Sequence, residues 1–501
     1  MRDQVDYILQ RLAALGARVT GLCADTRSLT AGEVFLAYPG SRRDGRSFIP
    51  SALESGAAAV LWERAGFDWN ASWEVPNLGI DDLRGFAGRL AHEVYGRPSE
   101  RLWTIGVTGT NGKTSCSQWI AQACGVCGAR TAVIGTLGTG FPAGPAGEPE
   151  KLDAGLNTTP DAVALHRSLA KLLGAGAQGV AMEVTSIGLD QGRVNGVAFG
   201  AALFTNLSRD HLDYHRDMES YARAKQRLFE APSLKHAVLN LDDVQGVYLA
   251  NALAGRVNRA GYSCSPGVAA RAGLERYAEA HAIELSSKGI SFEVKSSWGE
   301  ARIESALLGR FNVSNLMGVL ATMLVSGVPF DRATAALAYL QPVVGRMQRI
   351  GGSGKPLVVV DYAHTPDALE KTLVALKDVA RSGGGRLVAV FGCGGERDRG
   401  KRPLMGAVAS RHADSIVVTS DNPRGEDPEA IIAEVTAALP VPYEAIEDRR
   451  AAIARAIASA NTGDVVLIAG KGHETYQEIA GRKLPFSDAT EAERALAGWS
   501  R

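Results

Sequence analysis

Short apolar runs alternate with amphipathic segments through most of this chain, and this alternation predicts an α/β protein with mostly parallel sheets. One alternating unit begins near residue 100, and its amphipathic helices are predicted at 117–126 and 161–173. Its predicted strands are 102–105, 130–135, 179–184 and 199–205. Polar and apolar residues alternate in 283–286 and 290–294, which indicates a small antiparallel extension, and a closing helix is predicted at 313–325.

A second alternating unit follows the glycine pair at 351–352 and has the pattern of a Rossmann-like, doubly wound domain. Its predicted strands are 357–361, 387–391, 415–419 and 464–469, and its predicted helices are 366–380, 403–411, 428–438 and 447–460. A smaller α/β unit is predicted at the N-terminus from a strand at 32–38, a helix at 49–56 and a strand at 58–62. The sequence therefore predicts three domains, which are 1–99, 100–343 and 344–501.

Composition narrows the functional classes. The 501 residues include 54 basic and 54 acidic side chains, so the chain as a whole has no attraction for nucleic acid or anionic lipid. No apolar run approaches the roughly 18 residues of a membrane helix, and the N-terminus is too polar for a signal peptide. Cys124 and Cys127 fall within a predicted helix without further ligands, which favours packing over a metal or redox site. We therefore expect a soluble, cytoplasmic monomer without a membrane span.

The most informative motif is Gly-Val-Thr-Gly-Thr-Asn-Gly-Lys-Thr, from Gly106 to Thr114, between a predicted strand and a predicted helix. In this context a glycine loop wraps its backbone N–H groups around phosphate. Lys113 would supply charge to the β- and γ-phosphates, and Thr114 a hydroxyl to Mg²⁺. The strict pattern requires glycine at the position of Val107, so the match is to a variant of the phosphate loop.

Candidate metal ligands follow the next strands. Glu183 ends a predicted parallel strand, at the edge where ligands bind, and Mg²⁺ prefers one or two carboxylates with phosphate and water. The alternative is a solvated strand end. The segment 205–215 concentrates two histidines and two aspartates in six residues, which beside a phosphate loop favours a metal and nucleotide role over a transition-metal site. Lys225, four residues after Tyr221, is by itself an ordinary solvated helix lysine.

Polar, glycine-rich loops also follow the predicted strands of the C-terminal unit. They begin at Asp361, Gly392, Asp421 and Gly470. In an open α/β sheet such loops converge on one edge, and the sequence therefore predicts a binding site there.

Together these motifs resemble the Mur ligases over nearly the whole chain. The resemblance rests on Thr108–Thr114, Asn157–Pro160, Met182–Val184, Phe204–His215, Tyr221–Lys225, Asn312–Asn315, Gly345–Met347, Asp361–His364 and the C-terminal loops. Mur ligases form amide bonds in bacterial peptidoglycan synthesis at the expense of ATP, and the members most similar to this chain act on UDP-N-acetylmuramoyl-L-alanyl-D-glutamate. The resemblance implies a UDP-binding domain, a central ATPase and a C-terminal amino-acid-binding domain. It also implies that ATP phosphorylates the substrate carboxylate and that an amine then displaces phosphate from the acyl phosphate.

The resemblance also implies roles for individual residues. The implied catalytic residues are Lys113, Glu183, His211 and Lys225, and the implied Mg²⁺ ligands are Thr114, Glu183, His211 and Lys225. Lys225 would be carbamylated (N6-carboxylysine), which turns a cation into a carboxylate-like ligand. The implied ATP-binding residues are Thr108, Gly109, Thr110, Asn111, Gly112, Lys113, Thr114, Asn315, Arg346 and Asp361. The implied UDP-muramoyl-dipeptide-binding residues are Thr26, Ser41, Arg42, Arg43, Asn157, Thr158, Thr159, Thr185, Gln191 and Arg193.

The loop from Asp421 to Arg424, Asp-Asn-Pro-Arg, bears on which amino acid is added. Members of the family with this arginine resemble enzymes that add meso-2,6-diaminopimelate, and lysine-adding relatives generally lack it. Diaminopimelate is lysine with one more carboxylate, and a guanidinium pairs with a carboxylate bidentately. The implied diaminopimelate-binding residues are Arg397, Asp421, Asn422, Pro423, Arg424, Gly470 and Glu474. The alternatives are a lysine-adding ligase, another Mur or folylpolyglutamate-type ligase, and a binding protein switched by nucleotide.

Overall fold

The computed structural model describes residues 2–40, 43–143, 151–155, 157–268, 272–286, 288–437 and 439–500. Within these ranges the chain forms two compact units. The first contains Met1–Thr108, Cys124–Leu203 and Ala224–Ala237, and the second contains Gly109–Ala123, Phe204–Arg223 and Val238–Arg501. Because these units interleave along the chain, the boundaries of the three expected domains stay a prediction.

Helices and strands alternate along the described ranges. The α-helices there are α1 (Arg2–Ala14), α2 (Ile49–Glu54), α3 (Leu83–Val94), α4 (Pro98–Arg101), α5 (Lys113–Val126), α6 (Ala162–Gly174), α7 (Ser186–Asp190), α8 (Leu212–His215), α9 (Met218–Gln226), α10 (Val244–Ala252), α11 (Arg310–Val325), α12 (Phe330–Leu337), α13 (Pro366–Ser382), α14 (Lys401–His412), α15 (Pro428–Thr436), α16 (Arg449–Ser459) and α17 (Asp488–Ala497). The strands there are β1 (Leu22–Cys23), β2 (Val34–Ala37), β3 (Ala59–Glu63), β4 (Asn77–Ile80), β5 (Trp103–Thr108), β6 (Thr131–Gly135), β7 (Gly138–Phe141), β8 (Lys151–Asp153), β9 (Gly179–Glu183), β10 (Ala201–Phe204), β11 (His236–Asn240), β12 (Asn258–Ser263), β13 (Arg276–Ser286), β14 (Gly289–Ser296), β15 (Gly299–Ser305), β16 (Gln348–Gly351), β17 (Leu357–Asp361), β18 (Leu387–Phe391), β19 (Ser415–Thr419), β20 (Glu444–Ile446), β21 (Val465–Ala469), β22 (Tyr476–Ile479) and β23 (Arg482–Pro485). The strands and helices predicted from the sequence are present, with ends that differ by a few residues.

The first unit begins with a parallel sheet in the order β1-β2-β3-β4. Strand β2 is buried along its whole length, as expected for a parallel strand covered on both faces. Helices α1 and α3 pack on one face, where Leu12 and Phe86 join the core, and α2 packs on the other through Ile49. This small α/β layer structure agrees with the pattern of the N-terminal sequence.

The same unit contains the strand that leads into the glycine loop. Its sheet runs β10-β5-β9-β6-β7-β8, with β5, β9 and β6 parallel and β7 and β8 antiparallel. Strand β9 is completely buried, and Glu183 at its end lies opposite Val107 of β5 in the parallel register. Glu183 therefore sits at the carboxyl edge of the sheet, as predicted.

The second unit contains the predicted antiparallel extension. Its strands run β15-β14-β13-β12-β11, in which β13, β14 and β15 are antiparallel and β12 is parallel to β13. Helix α11 packs on β12 and β13 and is almost entirely buried. The extension thus contributes structure around α11, which carries Asn315.

The C-terminal part of the second unit is a doubly wound sheet in the order β16-β17-β21-β18-β19-β20. All its strands are parallel except β16. Consecutive residues of β17 face opposite layers: Val359 packs with α13, α14 and α15, and Val358 packs with α16 and α17. The predicted Rossmann-like organisation is confirmed, although the sequence analysis missed β16, β20, α17 and the hairpin of β22 and β23.

Two sequence expectations concern membranes and cysteines. None of the helices described here is long and apolar enough to cross a membrane. Cys124 is buried in α5, and burial raises the pKa of its thiol to about 11. A thiol that stays protonated is consistent with a packing role.

Candidate functional site

The glycine loop connects β5 to α5. Gly112 has a φ of 88°, a left-handed conformation that favours glycine, and a Cβ there would come within 2.6 Å of Asn315 Oδ1. The Lys113 ammonium donates to the carbonyl oxygens of Gly109, at 3.0 Å, and Thr110, at 2.8 Å. The ammonium of Lys113 thus lies over the carbonyl groups of the loop. A bound phosphate would be a stronger acceptor for this ammonium than the carbonyls are.

The segment after β10 packs against this loop. Thr110 Oγ1 donates to Ser208 O at 3.1 Å, and the Asn111 N–H donates to Asn206 Oδ1 at 2.9 Å. The Asn111 side chain also donates to Asp367 Oδ2 of α13 at 2.9 Å. The structure therefore joins two predicted motifs, 108–114 and 205–215, and adds a C-terminal carboxylate that the sequence analysis did not single out.

Asp210 is the negative centre of the histidine-rich segment. It is buried, and its Oδ2 lies 3.4 Å from His211 Nε2 and 3.8 Å from His364 Nε2. Burial acts to raise the pKa of Asp210, but the nearby His364 and the charges of His211 and Lys401 outweigh burial and hold the pKa well below its usual range. Asp210 is therefore ionised and orients both imidazoles.

Arg346 reaches the glycine loop from the start of the C-terminal region. Its Nη2 donates to Thr114 Oγ1 at 3.0 Å, and its guanidinium lies 4.3 Å from the centre of the Tyr362 ring. Its buried Nε makes no hydrogen bond with any described residue. Arg346 thus places a positive charge with unused donor capacity beside the hydroxyl that the sequence assigned to Mg²⁺.

Asp361 lies at the end of β17 and is held by backbone groups. Its carboxylate accepts the N–H groups of Met347 and Ala363, each at 2.8 Å. Burial raises the pKa of Asp361, although the charge of Arg346 and both backbone donors act to lower it. The structure therefore places the three residues Asn315, Arg346 and Asp361 in the unit that contains the glycine loop.

A second polar cluster surrounds Glu183 in the first unit. Glu183 is 1% exposed, and its carboxylate accepts the N–H of Thr136 at 2.7 Å and the hydroxyl of Thr136 at 3.1 Å. That hydroxyl lies 3.1 Å from Thr158 Oγ1, and Thr159 Oγ1 lies 3.0 Å from Thr185 Oγ1. These bonds hold the buried carboxylate of Glu183 in place at the end of β9.

Arg193 extends this cluster. Its Nη1 donates to Thr159 O at 2.8 Å, and its Nε and Nη2 donate to Gln191 Oε1 at 2.9 and 2.7 Å. Among the described residues, no hydrogen bond joins Thr26, Arg43 or Asn157 to the cluster; Ser41 and Arg42 lie outside the described residues. The structure therefore brings together Thr158, Thr159, Thr185, Gln191 and Arg193 of the predicted set.

Lys225 lies on α9 and is 1% exposed. A solvated helix lysine keeps its ammonium in water, so that simpler interpretation of Lys225 is wrong. His211, by contrast, keeps 37% of its side chain exposed, and its ring meets that of Tyr221 edge-on at 6.1 Å. Within the described ranges, no three histidine, cysteine, aspartate or glutamate residues form a group that could hold a metal ion.

The loops that follow β17, β18, β19 and β21 meet at one edge of the C-terminal sheet. The Gly470 N–H donates to Asp361 O at 3.1 Å, and the Gly395 N–H donates to Asn422 O at 2.9 Å. Asn422 Nδ2 donates to Glu474 Oε2 at 2.8 Å. The predicted convergence of these loops is confirmed. Pro423 is buried in this edge and Arg397 is exposed.

Arg424 has a left-handed backbone, with a φ of 54°. Its N–H donates to Glu478 O at 3.0 Å, and its carbonyl accepts the Ala480 N–H at 2.7 Å. Its side-chain Nη1 donates to Gly395 O at 2.7 Å, and its Nε lies 3.4 Å from Glu478 Oε2. The hairpin of β22 and β23, which sequence reasoning missed, therefore fixes the position of this arginine.

Two buried cations of this region were also missed. Lys471 is completely buried and bonds to both Asn422 and Glu474, and its only sequence signal is a lysine between two glycines after an apolar strand. Arg449 is equally buried; it pairs with Asp488 at 2.7 Å and also donates to the carbonyls of Ser420, just after β19, and Ala469, at the end of β21. No local pattern marks Arg449, since its partner lies far along the chain.

Three models of the Mur ligase family match the chain in order. The model of the Mur ligase family catalytic domain matches residues 18–95, that of the Mur ligase middle domain matches 107–323, and that of the Mur ligase glutamate ligase domain matches 345–472. The matches cover most of the chain.

Curated relatives extend over nearly the full length. A protein of Chromobacterium violaceum named UDP-N-acetylmuramoyl-L-alanyl-D-glutamate--2,6-diaminopimelate ligase is 50% identical over 493 residues, which are 98% of this chain and 97% of the relative. A protein of Pseudomonas aeruginosa with the same name is 48% identical and covers 95% of each chain.

Solved structures agree with these relatives. A structure titled as the same ligase is 37% identical, covers 96% of this chain and 95% of its own, and has a TM-score of 0.65. MurF of Thermotoga maritima in complex with ADP has a TM-score of 0.65 at 18% identity, covers 96% of this chain and 99% of its own, and shows the fold alone. With family models along most of its length and relatives at about half identity, this chain belongs to the Mur ligase family.

Proposed function

We propose that this Mur ligase adds meso-2,6-diaminopimelate to UDP-N-acetylmuramoyl-L-alanyl-D-glutamate with the hydrolysis of ATP to ADP and phosphate. The observation that carries the proposal is the pair of opposite charges at one sheet edge, with Arg424 after β19 and Glu474 after β21, both tied to Asn422. A guanidinium suits the distal carboxylate of diaminopimelate, and a carboxylate suits its ammonium group. The names of the relatives from Chromobacterium violaceum and Pseudomonas aeruginosa support the same reaction.

The proposed reaction has two steps. The γ-phosphoryl group passes from ATP to the free carboxylate of the UDP-linked dipeptide, which gives an acyl phosphate and releases ADP. The amine of diaminopimelate then attacks the acyl carbon, loses a proton, and expels inorganic phosphate, which leaves an amide. Both steps concentrate negative charge, and Lys113 and Arg346, which reach the same glycine loop, supply positive charge to it.

We assign ATP binding to the glycine loop and to the residues around it. The assigned residues are Thr108, Gly109, Thr110, Asn111, Gly112, Lys113, Thr114, Asn315, Arg346 and Asp361. Support comes from the left-handed backbone of Gly112 and from the hydrogen bond of Lys113 Nζ to Gly109 O. Arg346 Nε, which makes no hydrogen bond with any described residue, adds a donor.

We assign Mg²⁺ binding to Thr114, Glu183, His211 and a carbamylated Lys225. When bound, the ion neutralises charge on the phosphates and polarises the transferred group. Glu183 supports this assignment because it is a buried carboxylate, fixed by Thr136 at the carboxyl edge of the sheet. The burial of Lys225 favours a carbamate, because a buried ammonium beside a metal would repel it.

We assign the UDP-linked dipeptide to Thr26, Ser41, Arg42, Arg43, Asn157, Thr158, Thr159, Thr185, Gln191 and Arg193, and diaminopimelate to Arg397, Asp421, Asn422, Pro423, Arg424, Gly470 and Glu474. The threonine cluster around Glu183 and the converging C-terminal loops support these assignments. We also propose domains at 1–99, 100–343 and 344–501, because each matched family model falls inside one of them. The protein would act in the cytoplasm as a monomer.

The decisive experiment measures ATP-dependent phosphate release with the UDP-linked dipeptide and, in parallel, diaminopimelate, L-lysine and L-glutamate. We expect turnover with diaminopimelate and a kcat/KM for lysine at least about tenfold lower, because lysine lacks the carboxylate that a charged hydrogen bond would hold. Equal turnover of lysine would favour a lysine-adding ligase. Turnover of glutamate alone would favour a folylpolyglutamate-type ligase. Binding of ATP without any release of phosphate would favour a nucleotide-switched binding protein.

A further inference from the structure

A completely buried lysine stands at the centre of the loops assigned to diaminopimelate. Lys471 Nζ donates to Asn422 Oδ1 at 2.8 Å and to Glu474 Oε2 at 2.9 Å, and it lies 3.9 Å from Asp421 Oδ1. The ring of Tyr476 lies 5.6 Å away. Burying an unpaired ammonium is costly. The position of Lys471 and the positions of the groups that accept its hydrogen bonds therefore depend on one another.

Lys471 fixes the carboxylate that we assign to the substrate ammonium. Glu474 Oε2 accepts from Lys471 Nζ and, at 2.8 Å, from Asn422 Nδ2. Oε1 of the same carboxylate makes no hydrogen bond with a described residue. The lysine thus holds one oxygen of Glu474 and leaves the other for the substrate.

Lys471 also acts on the opposite end of the site through Asn422. Asn422 Oδ1 accepts both Lys471 Nζ and the N–H of Glu478 on β22, the latter at 2.9 Å. Glu478 in turn accepts the Arg424 N–H through its carbonyl and lies 3.4 Å from Arg424 Nε through its carboxylate. A continuous set of contacts therefore runs from Lys471 through Asn422 and the hairpin to Arg424.

We infer that Lys471 is a positioning residue that sets both ends of the amino-acid site. It orients Glu474 toward the substrate ammonium and, through Asn422 and the hairpin, aligns Arg424 with the distal carboxylate. This inference rests on the proposed function and adds to it a residue that need not touch the substrate.

The test compares Lys471→Met with Lys483→Met. Methionine keeps the length of the side chain without its charge, and Lys483 is a matched control because its ammonium lies 4.1 Å from the same Tyr476 ring but is exposed. We expect Lys471→Met to raise the KM for diaminopimelate at least about tenfold, because Glu474 would no longer be oriented for its charged hydrogen bond to the substrate ammonium. The preference for diaminopimelate over lysine should fall, whereas the KM values for ATP and the UDP-linked dipeptide stay within about twofold. Lys483→Met should leave all of these values unchanged.

A merely structural lysine would behave differently. Replacing such a lysine would lower activity with all three substrates in parallel and leave the ratio of diaminopimelate to lysine turnover unchanged. That outcome would overturn the inference. If Lys471→Met does not fold, Lys471→Arg, which keeps the charge, is combined with Glu474→Gln in a double-mutant cycle. Effects on the KM for diaminopimelate that are not additive support positioning through Glu474, and additive effects overturn it. A native enzyme without diaminopimelate turnover would instead refute the proposed function.

Discussion

Replacing Arg424 by alanine should weaken the binding of diaminopimelate. The binding of ATP and of the UDP-linked dipeptide should not change. In the structure Nη1 of this arginine donates to Gly395 O at 2.7 Å, and Nε lies 3.4 Å from Glu478 Oε2. Nη2 makes no hydrogen bond with a described residue and is the group that we assign to a substrate carboxylate. A charged hydrogen bond is worth about 1.5–3 kcal/mol, so the KM for diaminopimelate should rise roughly 10- to 150-fold.

The left-handed backbone at this position does not complicate the comparison. Arginine and alanine both carry a Cβ and suffer the same strain at a φ of 54°, so the substitution changes the side chain and not the backbone preference. Arg424→Lys keeps the charge but not the planar fork and should fall between the native enzyme and Arg424→Ala. Arg399→Ala is the control, because Arg399 is exposed and pairs with Glu434.

The assay is steady-state phosphate release with each substrate varied in turn. The KM for L-lysine should hardly change, since lysine has no distal carboxylate to lose. If Arg424→Ala left the KM for diaminopimelate unchanged, or raised both values by the same factor, the guanidinium would not contact the distal carboxylate and our reasoning would be wrong.

Asp488→Asn should lower the free energy of unfolding by about 3–5 kcal/mol in urea, followed by circular dichroism, because it leaves the buried charge of Arg449 uncompensated. Arg455→Met, which breaks an exposed pair, should cost under about 1 kcal/mol, and equal losses would contradict this account. Burial, aided by the nearby charge of His92, lowers the pKa of His166 to about 4, so the unfolded chain binds more protons between about pH 6.5 and 4. Over that window the free energy of unfolding of the native protein should fall by about 2–3 kcal/mol relative to that of His166→Gln as the pH falls. If the free energies of unfolding of the two proteins changed in parallel with pH, the prediction would be wrong. The peptide that contains Lys225 should gain the mass of one CO₂ in CO₂-saturated buffer, and a fully active Lys225→Arg variant would rule out the carbamate.

Much of the fold could be predicted because its strands are buried between two helix layers. In β17 the residues Val358, Val359 and Val360 are all apolar, since alternate side chains enter different cores. The hairpin of β22 and β23 lacks such a signal: β23 is exposed throughout, and β22 buries only Gln477. The hairpin is held by backbone hydrogen bonds, which do not require a periodic pattern of apolar residues in the sequence.

The candidate site could be predicted where its chemistry is local. The glycine loop and the segment 205–215 each follow a strand and carry their own polar groups, so their positions could be inferred from the sequence. The ion pair of Arg449 and Asp488, and the contacts of Lys471 with Asn422, join residues from separate elements. Their charges are compensated only in the folded chain, so no sequence window distinguishes them from solvated side chains.

Arg424 shows why a motif alone does not determine specificity. The Asp-Asn-Pro-Arg loop supplies the guanidinium, but its backbone conformation is held by Glu478 and Ala480 of a hairpin outside the motif. A bidentate contact depends on the direction of the planar fork as well as on its charge. A chain with the same loop and a displaced hairpin would carry the arginine and still align it poorly with a distal carboxylate. Selection of the amino acid therefore belongs to the loop, the hairpin and the buried Lys471 together, because the contacts of Lys471 with Asn422, and of Asn422 with β22, link all three.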